Sequence, residues 1–122
     1  MSEKIQREVM EYDVVIVGAG PAGLATAIKL RQLQSDVNVC ILEKASEVGA
    51  HILSGNVFET RALDELIPNW KEEGAPIKTK VSKEKFLFLS KSSSLSWPTW
   101  ILPSVQKNHN NYIISLANLC RW

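Results

Sequence analysis

The apolar patterning of the chain opens with four β-branched residues in succession, Val14, Val15, Ile16 and Val17, followed at once by Gly18, Gly20 and Gly23. A short unbroken apolar run closed by glycine reads as a strand buried on both faces. From Pro21 to about Gln34 the apolar positions Leu24, Ala27, Ile28 and Leu30, with the stem of Arg31, recur at helical spacing, so a helix is predicted there. Ser35 and Asp36 break it, and residues 37–42 (VNVCIL) read as a second buried strand. Strand, glycine turn, helix and strand together make a βαβ unit over residues 12–44.

Beyond that unit the pattern loosens. Residues 45–56 carry two glycines and two serines and are expected to form a long loop leaving the second strand. Residues 58–67 place Leu63, Leu66 and Ile67 on one face ahead of Pro68, which predicts a short amphipathic helix. A charged turn over 71–76 precedes an apolar strand over 85–90, a serine-rich bend over 92–94 and a returning strand over 95–102. Pro98 would confine that return strand of the hairpin to an edge. Residues 112–122 repeat apolar residues at Ile113, Leu116, Leu119 and Cys120, the spacing of a helix facing a core.

The fold class expected is therefore α/β, a Rossmann-like βαβ unit with a following loop, short helix, small β-hairpin and terminal helix. A parallel sheet needs helices on both faces, and a helix over 112–122 would ordinarily feed a third parallel strand. None follows in the pattern, so the reading is an incomplete domain, a fragment with part of its sheet exposed. No internal repeats and no linker interrupt it.

Composition narrows the classes. At 122 residues the chain is at most one domain, and 45% hydrophobic with 22% charged residues excludes a disordered or fibrous protein. A net charge of +1 with no basic stripe argues against nucleic acid as a partner. Residues 1–12 are charged and lack an apolar core, so no signal peptide is expected. No apolar run reaches membrane-spanning length, and a soluble segment is expected. Cys40 and Cys120 form no CxxC and read as reduced, buried thiols in a reducing cytoplasm rather than as metal ligands.

The chemistry sits in the first turn. Gly18 ends the strand in a tight bend, Gly20 lets the backbone approach a pyrophosphate, and Gly23 lets the helix pack on the strand it has left. Pro21 suits the first helical turn, where its missing N–H has no partner to lose. With Ala19 and Ala22, these residues aim N–H groups and the positive end of the helix dipole at an anion. Glu43 follows Gly23 by twenty residues at the end of the second strand, the position from which a carboxylate accepts hydrogen bonds from both hydroxyls of an adenosine ribose. A carboxylate there repels a 2′-phosphate and disfavours NADP. Lys44 beside it joins the candidate set. The unit does not choose between FAD and NAD.

Three later segments carry a second signature: GAHILSG over 49–55, LDELIPNWKEEGAP over 63–76 and NHNNYIISLANLCRW over 108–122. Together with GAGPAG over 18–23, they resemble the amino-terminal part of the electron transfer flavoprotein:ubiquinone oxidoreductase family. The resemblance runs from about residue 12 to 122. It implies FAD bound by Gly18, Gly20, Gly23 and Glu43, with the loop over 49–55 passing close to the flavin. The whole chain would then be part of one FAD-binding domain, with 45–122 supplying that loop, the hairpin and the last helix.

His51 and Ser54 become candidate flavin contacts on the same ground. A solvated histidine in a plain loop turn stays open as the alternative. No catalytic and no metal-binding residue is assigned. The resemblance further implies electron transfer from reduced electron transfer flavoprotein, through FAD and a 4Fe–4S cluster, to ubiquinone. The cluster's ligands are expected outside this segment, which alone is expected to be inactive. It also implies peripheral membrane association of the full-length protein, on the cytoplasmic side of a bacterial inner membrane.

The chain departs from the family pattern at Asn110 and Ala117, where glycines are usual, and both are expected to perturb the turn before the last helix. Two other classes remain open: a non-catalytic adenine-dinucleotide-binding module, and a truncated NAD-dependent dehydrogenase. Trp70, Trp97, Trp100 and Trp122 read as core filling or as an interface. Lys71, Lys78, Lys80, Lys83 and Lys85 read as a solvated face, or as a membrane-surface contact.

Overall fold

The computed structural model describes residues 8–122, so the reading of the charged amino terminus lies, for residues 1–7, outside the described residues. β1 (Val14–Val17) runs parallel to β2 (Val39–Leu42), with Val14 beside Val39 and Val17 beside Leu42. α1 (Pro21–Leu33) crosses between them. The ladder is extended at its open end by Asp13, whose N–H donates to the Asn38 carbonyl at 3.0 Å and whose carboxylate accepts the Asn38 N–H at 2.8 Å. β2 starts two residues later than the apolar run suggests. The Val37 carbonyl is taken by the Arg31 guanidinium at 2.9 Å, which commits residue 37 to the turn rather than to the ladder.

After the long loop, β3 (Ser54–Phe58) leads into α2 (Arg61–Leu66), which Pro68 follows closely. β4 (Thr79–Lys80) is a two-residue strand, and β5 (Phe86–Leu89) pairs antiparallel with β6 (Ser94–Trp97). The hairpin expected from the sequence is thus present. Its return strand stops at Trp97, because Pro98 supplies no N–H for the ladder, and a 3-10 turn over Thr99–Ile101 replaces the longer strand expected over 95–102.

β7 (Tyr112–Ser115) and α3 (Leu116–Arg121) end the chain. The sequence reading of one helix over 112–122 is corrected here. Tyr112, Ile113 and Ile114 are aromatic and β-branched, types that suit a pleated surface better than a helix. Ser115 then caps the helix, its hydroxyl accepting the Asn118 N–H at 3.4 Å. β7 lies between β3 and β4, antiparallel to both. This three-stranded sheet is absent from the sequence reading, which left 54–56 in a loop and began the short helix at Phe58. Ser54 pairs with Ser115 and Phe58 with Tyr112.

The packed core belongs to this antiparallel half. Leu63, Trp70, Ala75, Ile77 and Ile114 are buried together, with Phe58, Ile67, Tyr112, Leu116 and Leu119 packed against them. Trp70 is 3% exposed. Its ring meets Tyr112 edge-to-face with centroids 6.2 Å apart, and its indole N–H donates to the Asp64 carboxylate at 2.7 Å. Of the four tryptophans only this one fills the core; Trp97, Trp100 and Trp122 are exposed.

The βαβ half is packed thinly by comparison. No residue of α1 is buried, and Val15, Val17 and Leu42 are exposed along the strands, in line with the expectation that part of this sheet is exposed. No helix among the described residues is long and apolar enough to cross a membrane.

Candidate functional site

The turn between β1 and α1 has the conformation that its glycines permit. Gly18 adopts φ +103°, in the region that L side chains rarely enter. A Cβ placed on Gly20 would meet nothing within 4 Å, so open space lies in front of the backbone there. At Gly23 a Cβ would run into the Gly18 carbonyl oxygen and the Ile16 side chain, which is the close strand–helix approach expected of that position. Ala19, between the first two glycines, is 2% exposed.

α1 begins on Pro21 without a side-chain cap and without an acidic residue in its first turn. The Leu24 N–H is the first to close an intrahelical bond, to the Gly20 carbonyl at 3.0 Å. The N–H groups of Ala22 and Gly23 are therefore those that a helix start leaves for an external acceptor. An anion placed there also meets the positive end of the peptide dipoles.

Glu43 reaches this turn. One carboxylate oxygen accepts the Ala19 N–H at 2.8 Å and the other accepts the Ala45 N–H at 2.8 Å. The bonds from Ala45 and Ala19 hold the Glu43 pKa below its ordinary value, and a small contribution comes from His51. The group is thus an ionised, solvent-facing carboxylate with free lone pairs, stapled between the turn after β1 and the loop after β2. A sugar diol at the turn would find an acceptor already positioned.

The structure gathers Gly18, Ala19, Gly20, Pro21, Ala22, Gly23 and Glu43 into one place. Lys44 follows on the exposed side. His51 lies in the loop after β2, exposed, and Ser54 is the first residue of β3, opposite Ser115 and also exposed. No hydrogen bond among the described residues ties the His51 or Ser54 side chain to the glycine turn. A shallow groove lies elsewhere, between α1 and α2, lined by Ala25, Lys29, Leu33, Ala62 and Leu66. The glycine turn is an open edge rather than a closed cavity.

Sequence reasoning overlooked three features. The Ala19 N–H is a partner of Glu43, which the strand register could have indicated, since Gly18 donates to the Leu42 carbonyl at 2.7 Å and so brings the two loops side by side. Asn56 on β3 has a buried side-chain oxygen with no partner among the described residues. The loop after β2 is braced by α3, where Ala117 packs against Gly49 and Arg121 bonds to Glu47 and Val48. The two departures from the family pattern lie on either side of β7. Asn110 takes φ 69°, which asparagine tolerates better than other side chains, and Ala117 is buried against Gly49.

Comparison with known proteins agrees with the Rossmann-like fold class. Residues 16–72 match the family described as NAD(P)-binding Rossmann-like domain. The chain is 57% identical over 97% of its length to a probable electron transfer flavoprotein-ubiquinone oxidoreductase of Acinetobacter baylyi. It is 58% identical over 95% of its length to the mitochondrial electron transfer flavoprotein-ubiquinone oxidoreductase of Oryza sativa, and 47% over 97% to that of Bos taurus. The chain spans about a fifth of the length of the curated relatives it matches.

Proposed function

Since this chain belongs to the electron transfer flavoprotein-ubiquinone oxidoreductase family, we propose that its glycine turn and Glu43 bind the adenosine diphosphate half of FAD within such an enzyme. In this reading the diphosphate lies at the N–H groups that open α1, across the backbone of Gly18, Ala19, Gly20, Pro21, Ala22 and Gly23. Glu43 accepts the ribose hydroxyls while its remaining lone pairs keep the Ala19 and Ala45 N–H groups. Lys44 lies beside the sugar. The loop after β2 borders the flavin, with His51 and Ser54 as its polar contacts.

FAD supplies the redox chemistry when bound. The residues of this chain bind the cofactor, orient it and set the charge around it; none is assigned a covalent or proton-transferring role. The protein carrying this segment would pass electrons from reduced electron transfer flavoprotein to ubiquinone, with a 4Fe–4S cluster as a further carrier. Cys40 on β2 and Cys120 on α3, both half-buried, are not assigned to that cluster, whose ligands this reading places outside the segment. A peripheral site on the cytoplasmic side of a bacterial inner membrane is the location proposed.

The observation that carries the reading is the pairing of open space at Gly20 with a carboxylate already fixed to the same turn. The family description that matches residues 16–72 favours one other reading, a nicotinamide dinucleotide on the same turn. Visible absorbance of the purified intact protein, with titration of FAD and NAD, separates the two. Yellow flavin retained through gel filtration supports FAD; saturable binding of NAD with no affinity for FAD overturns it.

A further inference from the structure

The loop between β2 and β3 is held at two points. Its start is fixed by Glu43, as described above. Its middle is fixed by α3, where the Arg121 Nε donates to the Val48 carbonyl at 2.9 Å and Nη2 donates to the Glu47 carboxylate at 2.9 Å. A third guanidinium nitrogen donates to the Asn118 side chain at 3.2 Å, which fixes the plane of the fork on its own helix. Directly after these contacts comes Gly49, buried, at φ +84°. A Cβ there would lie 2.9 Å from the Ala117 carbonyl oxygen and 3.1 Å from the Ala117 Cβ, so the loop and α3 are in backbone contact with no room between them. Two tight turns follow, from Ala50 to Glu47 and from Ile52 to Gly49, and they carry the chain past His51 into β3.

The Arg121–Glu47 pair is exposed, with 41% and 64% of the two side chains accessible. Exposed ion pairs contribute little to folding. A guanidinium that spans a backbone carbonyl, a carboxylate and its own helix is instead well suited to setting a position, because its planar fork is rigid.

We propose that Arg121 is a positioning residue for the cofactor: acting through residues 47–49, it fixes the part of the loop that borders the flavin, without touching the adenosine half. The inference rests on the FAD reading above and adds a division of labour to it. Gly18 to Gly23 and Glu43 hold the adenosine diphosphate. Arg121 and the Gly49–Ala117 contact hold the flavin side.

The test compares two ligands on the intact protein stripped of cofactor. FAD reaches both parts of the site, whereas ADP reaches only the turn and Glu43. Arg121→Ala is expected to weaken FAD roughly tenfold, which corresponds to ~1.4 kcal/mol, and to shift the visible circular dichroism of bound flavin. ADP affinity and the thermal midpoint should stay near wild type. Arg121→Lys, which keeps the charge and loses the fork, should fall between the two, and it serves as the readout should the alanine variant fail to fold. Equal loss of FAD and ADP affinity, or no loss of either in both variants, would overturn the positioning role while leaving the FAD reading intact. A wild-type protein that binds neither ligand would overturn both.

Discussion

The two halves of this molecule are built on opposite principles. The βαβ half has no buried residue in its helix and exposes Val17 to 85%, yet its backbone geometry is fixed in detail by hydrogen bonds among Gly18, Ala19, Leu42, Glu43 and Ala45. The antiparallel half holds the core, with Trp70 and Ile114 nearly inaccessible at 3% and 4%. Most of the apolar burial energy therefore lies in the half with no proposed ligand contact except along its loop. The proposed diphosphate site stands on backbone geometry and fixed dipoles, and α3 couples the halves through Arg121 and Ala117.

The largest effect that would sharpen this contrast is at Trp70. Trp70→Ala removes the central ring of the core, its edge contact with Tyr112 and the bond to Asp64. A stability loss of about 3–5 kcal/mol is expected, read by denaturant unfolding of the intact protein. A loss below ~1 kcal/mol would mean that the core lies elsewhere.

Gly20→Val comes next and acts in the opposite sense. The position is open and its backbone, at φ −80°, suits any residue. The fold should be unaffected, while FAD affinity falls by at least about 2 kcal/mol, roughly thirtyfold. Isothermal titration gives the affinity and circular dichroism the fold. Unchanged binding in a folded variant would remove the turn from the site.

Glu43→Gln should weaken both ADP and FAD by roughly tenfold, a loss that the Arg121 substitution does not share for ADP. The amide keeps the shape but has one acceptor oxygen in place of two, and Ala19 and Ala45 each use one in the wild type. Titration of ADP against both variants distinguishes the two contributions.

The smallest expected effect is on pH dependence. The folded-state pKa of Glu43 lies below its ordinary value, so the carboxylate favours the folded state at pH values above that ordinary value. That contribution is lost as pH falls through the lowered folded value. Asp64 behaves alike, its pKa lowered first by the Trp70 indole and then by Thr60. Acid unfolding curves should therefore lose part of their slope in Glu43→Gln and, separately, in Asp64→Asn. Curves that superimpose on wild type would show that neither carboxylate is held in this way.

The legibility of the sequence divided along the same line. The βαβ unit could be read because each of its signals is local: β-branched run, glycine turn, helical spacing and terminal acid all fall within residues 14–43. α1 ends one residue from its expected limit. The antiparallel sheet was hidden because its pairing is distant in sequence, as Ser54 with Ser115. Ser54, Gly55 and Asn56 resemble a loop when read alone, with Gly55 at φ +77° and a shift of register between 54 and 56.

Residues 112–115 misled for a different reason. Ile113, Leu116 and Leu119 satisfy a helical period, but only the last two lie on the helix. The β-branched pair and the capping serine carried the correct boundary. At the site, the glycines and Glu43 followed from backbone requirements stated by their spacing. The brace from Arg121 did not, since nothing local ties residue 121 to residues 47 and 48.

The central claim is that the adenosine diphosphate of FAD bridges the start of α1 and the Glu43 carboxylate, and a crystal structure of the intact protein with FAD tests it most directly. The account predicts diphosphate oxygens within about 3 Å of the Ala22 or Gly23 N–H and ribose hydroxyls within about 3 Å of the Glu43 carboxylate. An adenosine ribose bound away from Glu43, or a diphosphate held by side chains distant from Gly20, would contradict it.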